Sequence, residues 1–148
     1  VGMVHVHPNS RNVIPGQVKF SIDLRNASDA ECEAMDQDIR AVADKISQET
    51  GLPIKIALVS SYPAQPFNAD CIEAVRRGAE QLGYSHMPAV SGAGHDAVYM
   101  ARLAPAGMIF IPCKDGISHN EIEDAKPEHI TAGCNVLLHA MLERAKAV

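Results

Sequence analysis

Apolar residues recur every second position in two stretches near the amino terminus. Val1 to His7 sets Val1, Met3, His5 and His7 against Val4 and Val6, and Gln17 to Arg25 sets Val18, Phe20, Ile22 and Leu24 against Lys19, Ser21, Asp23 and Arg25. A period of two is that of a half-buried strand. The intervening run, Pro8 to Gly16, is too long for a two-residue hairpin but ends in Pro15-Gly16, a turn signal, so the pair is expected to run antiparallel. The period then lengthens to three and four. Ser28 and Glu31 read as a capping box, Cys32, Met35, Ile39, Val42, Ala43 and Ile46 form one helical stripe, and Gly51 closes it in the left-handed conformation. Ile54, Ile56 and Leu58 alternate again, which gives a β-β-α-β order.

Tyr62-Pro63-Ala64-Gln65-Pro66 is a stiff connector, because each proline fixes its own backbone and turns the preceding residue away from helix. A boundary is placed there, giving segments 1-62 and 63-148. In the second segment Asn68 caps a helix bearing Cys71, Ile72, Val75, Ala79 and Leu82 and ending at Gly83. A small-residue loop, Val90 to Ala97, leads into a helix with Val98, Met100 and Leu103. Met108-Ile109-Phe110-Ile111-Pro112 lacks polar alternation, as a central strand covered on both faces would. The polar loop Gly116 to Glu123 follows, and Pro127 opens a last helix whose buried stripe is read as Ile130, Cys134, Leu137, Leu138 and Met141. The fold class expected is α/β, an α+β part followed by part of an α/β domain.

Composition narrows the function. The chain has 148 residues, 47% of them hydrophobic, enough for one ordinary domain or two small ones. With 13 basic against 18 acidic residues, a net charge of -5 and no Trp, a nucleic-acid partner is not expected. No apolar run approaches the ~20 residues of a membrane span, so no membrane partner is expected and the location is read as cytoplasmic. The four cysteines, Cys32, Cys71, Cys113 and Cys134, are widely spaced among apolar residues and read as small buried hydrophobes.

The candidate chemistry sits in loops at strand ends, where α/β proteins collect their ligands. His119 lies among small hydrogen-bonding residues that suit a metal ligand or general base, or else an idle surface histidine. Ser91-Gly92-Ala93-Gly94-His95-Asp96 offers unobstructed backbone to an anion or carbonyl oxygen, but it lacks the third glycine and following Lys of a phosphate loop. His5 and His7 form an H-x-H pair on one strand face without an acidic companion, and a solvated face is the simpler reading. Arg25 presents a planar fork suited to a carboxylate, with Asn12 as a second polar candidate.

Taken together, Pro8-Asn9-Ser10, Asn12 to Gly16, Phe20 to Arg25, Ser91 to Ala97, Met108 to Pro112 and Gly116 to Asn120 resemble, in order, the hydantoinase/carbamoylase branch of the M20 metallopeptidase family. That branch includes N-carbamoyl-L-amino acid hydrolases, allantoate amidohydrolases and β-ureidopropionases. The resemblance implies a two-domain homodimeric amidohydrolase, with a catalytic α/β domain holding two divalent metals and an inserted lid that also dimerises. It implies that residues 1-62 belong to the lid and 63-148 to the catalytic domain. It assigns His119 as the last metal ligand, Asn12, Arg25 and Gly94 as contacts to a small ureido or carbamoyl carboxylate, and His95 and Asp96 as supporting residues. One histidine suits Zn, Mn, Co or Ni alike.

The sequence departs from that pattern in ways that matter. It contains no H-x-D pair, no adjacent glutamates for a general base and no counterpart of the oxyanion-stabilising histidine that the family carries in the first half of its lid, and Glu121 stands where the family commonly has Pro. The chain is therefore read as the carboxyl-terminal part of a longer enzyme, cut within the lid, and inactive alone. Two other readings stay open: a metal-free binding or dimerisation module, and a dipeptidase or aminoacylase of the wider M20 group.

Overall fold

The structure, a computed structural model, describes residues 1–146. The chain forms two compact units that part between Ala64 and Gln65.

In the first unit, β1 (Val4–His7) and β2 (Gln17–Phe20) pair antiparallel, with Val4 opposite Phe20 and Val6 opposite Val18. These apolar cross-strand pairs share one face. His5 stands opposite Lys19 and His7 opposite Gln17 on the other face, and Val4, Val18 and Phe20 are exposed as well, so the strands are less covered than the alternation suggests. The strands are shorter than the alternation suggests: Ser21 still donates to the Met3 carbonyl at 3.0 Å, but residues 21–25 form no ladder.

Helix α1 (Asp29–Thr50) starts at Ser28, whose hydroxyl accepts from the Glu31 amide at 3.4 Å, and stops at Gly51 with φ 72°. Only half of the expected capping box forms, because Asn26 Oδ1 takes the Ser28 amide at 2.9 Å, the place Glu31 was to fill. Asp29 Oδ1 accepts the Ala64 amide at 2.7 Å, tying the end of the unit to the start of its helix.

Residues 54–58 do not form the expected strand, although Ile54 and Ile56 line a shallow cleft with Arg40, Ala43 and Asp44 of α1. A strand exists by virtue of its neighbour, and among the described residues nothing pairs with this run.

The second unit rests on two helices. α2 (Ala69–Gln81) begins at Asn68, whose side chain accepts from the Cys71 amide at 3.1 Å. It ends in a Schellman turn, with Tyr84 donating to Ala79 O at 2.9 Å, Gly83 donating to Glu80 O at 3.0 Å and Gly83 at φ 70°. A short α3 (Asp96–Ala101) and a single 3-10 turn (Lys114–Gly116) precede α4 (Pro127–Arg144), which carries proline in its first turn as expected.

The buried residues of the α2/α4 contact are small: Ala74 and Ala79 face Val136 and Ala140. Gly78 lets the helices close up, since a Cβ there would lie 3.2 Å from His139 Cβ and 3.3 Å from Val136 O. Arg77 clamps the pair by hydrogen bonding to the Glu143 carboxylate through both Nε, at 3.1 Å, and Nη2.

The stripe expected to be buried on α4 is instead outside: Ile130, Leu137, Leu138 and Met141 are exposed, and so is Cys134. Close approach at Gly78 selects the small-residue face of α4 over the bulky one. The four cysteines are free thiols, three of them half-buried.

Residues 108–112 also lack a strand partner among the described residues. They are seated all the same: a Cβ on Gly133 of α4 would fall 2.8 Å from Ile111 Cγ2, and one on Gly107 would fall 3.1 Å from Cys71 Cβ. Among the described residues no helix is long and apolar enough to cross a membrane.

Candidate functional site

The two loops singled out by sequence are both ordered by local hydrogen bonds. Lys114 donates to the Asp124 carbonyl at 2.7 Å, closing the neck of the second loop. Inside it, Asp115 (φ 55°), Gly116 (φ 67°) and His119 (φ 55°) all adopt left-handed backbone. For a residue with a Cβ this conformation costs about 1–2 kcal/mol, so the surroundings must impose it on His119.

They do so through Glu123 and Asn120. The His119 amide donates to Glu123 Oε2 at 2.9 Å, the Glu123 amide to Asn120 O at 2.9 Å, and the Ile122 amide to Asn120 Oδ1 at 3.1 Å. The turn thus forms with Glu121 in place of proline, and the imidazole of His119 is exposed. Glu123 is a residue that the sequence reading included in the loop without giving it a role. The only hint was an acid four positions beyond the histidine.

The first loop is closed by side chains. Ser91 Oγ lies 2.6 Å from His95 Nε2 and also accepts the Ala93 amide at 3.1 Å. His95 is the residue before α3, with extended backbone (φ -135°, ψ 148°), and its ring meets Phe110 edge-on at 5.5 Å between centroids. Asp96 opens α3, where its charge suits the positive end of the short helix. Among the described residues a Cβ on Gly94 would meet nothing within 4 Å, and Gly94 is not among the glycines with positive φ. Neither packing nor backbone conformation therefore calls for glycine at this position.

In the first unit, Asn12 lies in the connector between β1 and β2, where Oδ1 accepts from the Ser10 hydroxyl at 2.8 Å. Arg25 lies in the extended run after β2 and grips a carboxylate of its own chain: Nε donates to Asp23 Oδ1 at 3.0 Å and Nη2 to Oδ2 at 2.6 Å. These hydrogen bonds hold the Asp23 carboxyl below its usual value and push the guanidinium further up. Asp23 is a second residue to which the sequence reading gave no role; at i-2 in an extended run it falls on the same side as Arg25. His5 and His7 stay on an exposed strand face.

A divalent-metal centre needs about three or more converging protein donors. Among the described residues no such group of His, Cys, Asp or Glu exists. His119 is at most one donor, so this set of residues does not by itself fit a metal.

Comparison with known proteins covers nearly the whole chain. It is 47% identical over 148 residues to N-carbamoyl-L-amino-acid amidohydrolase of Rhizobium meliloti, covering 100% of this chain and 36% of that enzyme. It is 33% identical over 144 residues to allantoate amidohydrolase of Bacillus subtilis, covering 97% of this chain and 35% of that one. Among solved structures, an amidase of the hydantoinase/carbamoylase family from Burkholderia multivorans superposes with a TM-score of 0.93 at 53% identity, over 97% of this chain and 35% of that protein. The chain thus spans about a third of the length of these relatives. Residues 3–143 match the family described as peptidase family M20/M25/M40, and the chain belongs to that family.

Proposed function

We propose that the protein to which this chain contributes is an amidohydrolase that cleaves the ureido or carbamoyl C-N bond of N-carbamoyl amino acids or related ureido acids. The observation that carries this reading is that the likeness to N-carbamoyl-L-amino-acid amidohydrolase runs the full length of the chain. The chemistry of Arg25 supports the reading, since a guanidinium takes a carboxylate in two-pronged fashion, as it does that of Asp23 within the chain.

In this reading residues 1-62 are lid and residues 63-148 the end of the catalytic domain. Arg25 and Asn12 take the substrate carboxylate, and the backbone at Gly94 makes a further contact. Binding the carboxylate remotely fixes where the scissile carbonyl lies, so contact energy becomes orientation at the reacting carbon. His95 and Asp96 support the loop that carries Gly94. His119 contributes one imidazole to a metal centre whose remaining donors, and whose general base, are supplied by sequence outside these 148 residues. The intact enzyme is a cytoplasmic homodimer joined through its lid.

The test has two arms. The purified 148-residue chain should not hydrolyse N-carbamoyl amino acids with added Mn²⁺ or Zn²⁺, and turnover would overturn the division of labour. The full-length protein should hydrolyse N-carbamoyl amino acids, allantoate or β-ureidopropionate in preference to dipeptides and N-acyl amino acids. The reverse preference would favour the peptidase reading that the family description also allows.

A further inference from the structure

We infer that Ser91 and His95 are positioning residues that set the backbone of residues 92–94 in the shape that meets the substrate, so that they govern substrate binding while touching none of it. The inference rests on the amidohydrolase reading above.

Three observations carry it. The Ser91 hydroxyl sits at the centre of a closed loop, 2.6 Å from His95 Nε2 and 3.1 Å from the Ala93 amide nitrogen, so one oxygen joins both ends of the five-residue run. The Ala93 N–H uses one lone pair of that oxygen. The hydroxyl hydrogen can go to Nε2, or the imidazole N–H can donate to the second lone pair, and either arrangement keeps the Oγ–Nε2 link. Next, His95 cannot swing away without losing its edge contact to Phe110, and residues 108–112 are themselves fixed through the tight fit of Ile111 on Gly133. The far end of the strap is therefore anchored outside the loop. Last, among the described residues the space beside Gly94 is open to at least 4 Å, and its φ needs no glycine. A glycine that neither packing nor conformation requires leaves its backbone accessible to something else.

A strap that only stabilised the fold would behave differently from one that shapes a binding surface, and kinetics on the full-length enzyme separate the two. Ser91→Ala and His95→Ala should each raise KM for an N-carbamoyl amino acid about tenfold while changing kcat less than about twofold, the scale of one well-placed hydrogen bond. The double variant should lose less than the sum of the two single losses, because both remove the Ser91–His95 link while each also removes one contact of its own. Ser91→Thr keeps the hydroxyl and His95→Gln places an amide nitrogen near the Nε2 position. Both should return KM to within about threefold of wild type.

Unchanged KM in both alanine variants, additive effects in the double variant, or a loss confined to melting temperature and active fraction would each overturn the inference while leaving the amidohydrolase reading standing. Absence of ureido-acid hydrolysis by the wild-type full-length enzyme would overturn both, and that outcome is read before any variant is made.

Discussion

The amide of His119 donates to the carboxylate of Glu123 at 2.9 Å while His119 itself is held at φ 55°. An unfavourable backbone conformation and the contact that imposes it thus lie four residues apart in one loop. Removing the acceptor should release the strain by letting the loop relax. In the full-length protein Glu123→Ala is expected to raise amide exchange across residues 117–123, whereas Glu123→Gln, which keeps an acceptor oxygen, should change it little. Equal exchange in the two variants would show that the carboxylate does not hold this turn.

Arg25 and Asp23 form a pair that substrate must reopen if Arg25 is to bind a carboxylate. Asp23→Asn weakens the competitor without touching the fork, so KM for a carboxylate substrate should fall by a few-fold. Arg25→Ala should raise KM much more, with a poorer kcat from lost orientation. Steady-state kinetics on both variants check this, and a rise in KM for Asp23→Asn would mean that Asp23 steadies the guanidinium instead of occupying it.

Gly133 faces Ile111 so closely that a methyl group would sit 2.8 Å from Cγ2. Ile111 is β-branched and stiff, so Gly133→Ala should destabilise the full-length protein by about 1 kcal/mol, even though alanine is the better helix former. Combining it with Ile111→Ala removes the clashing atom, so the double variant should lose less than the sum of the two single losses. Chemical denaturation of the four proteins gives the coupling.

Glu143 has its carboxyl held below the usual value of 4.5, first by its hydrogen bond to Arg77. A depressed folded pKa means that the stabilisation is present above that usual value and is lost as pH falls through the lower folded one. Melting temperature of the wild type should therefore drop more steeply below about pH 4.5 than that of Glu143→Gln. Parallel curves would remove this pair from the acid response. The pair is exposed, so the difference should also shrink in high salt.

The elements most legible in the sequence were those whose signals are local. Ser28, Gly51, Asn68, Gly83 and Pro127 each mark a helix end by supplying or relieving a hydrogen bond within a few residues, and each stands where it was read. Residues 54–58 and 108–112 were less legible, because alternation or an apolar run records burial, whereas a strand needs a neighbour that local pattern cannot name. The buried face of α4 was misread for a related reason: the contact at Gly78 selects Val136 and Ala140 by size, and hydrophobicity alone pointed to the bulkier stripe. At the candidate site the ordered motifs identified the loops. The Ser91 to His95 strap, the Glu123 contact and the Asp23 pair depend on how each backbone bends, which no spacing rule reports.

Residues 108–112 combine a nearly uniform apolar composition with backbone groups that no ladder occupies among the described residues, and Phe110 is 54% exposed. Such a run is a ready template for any other extended chain. Produced as an isolated piece, the chain would carry that template into solution, where the same edge that suits a sheet would favour clumping as its concentration rises.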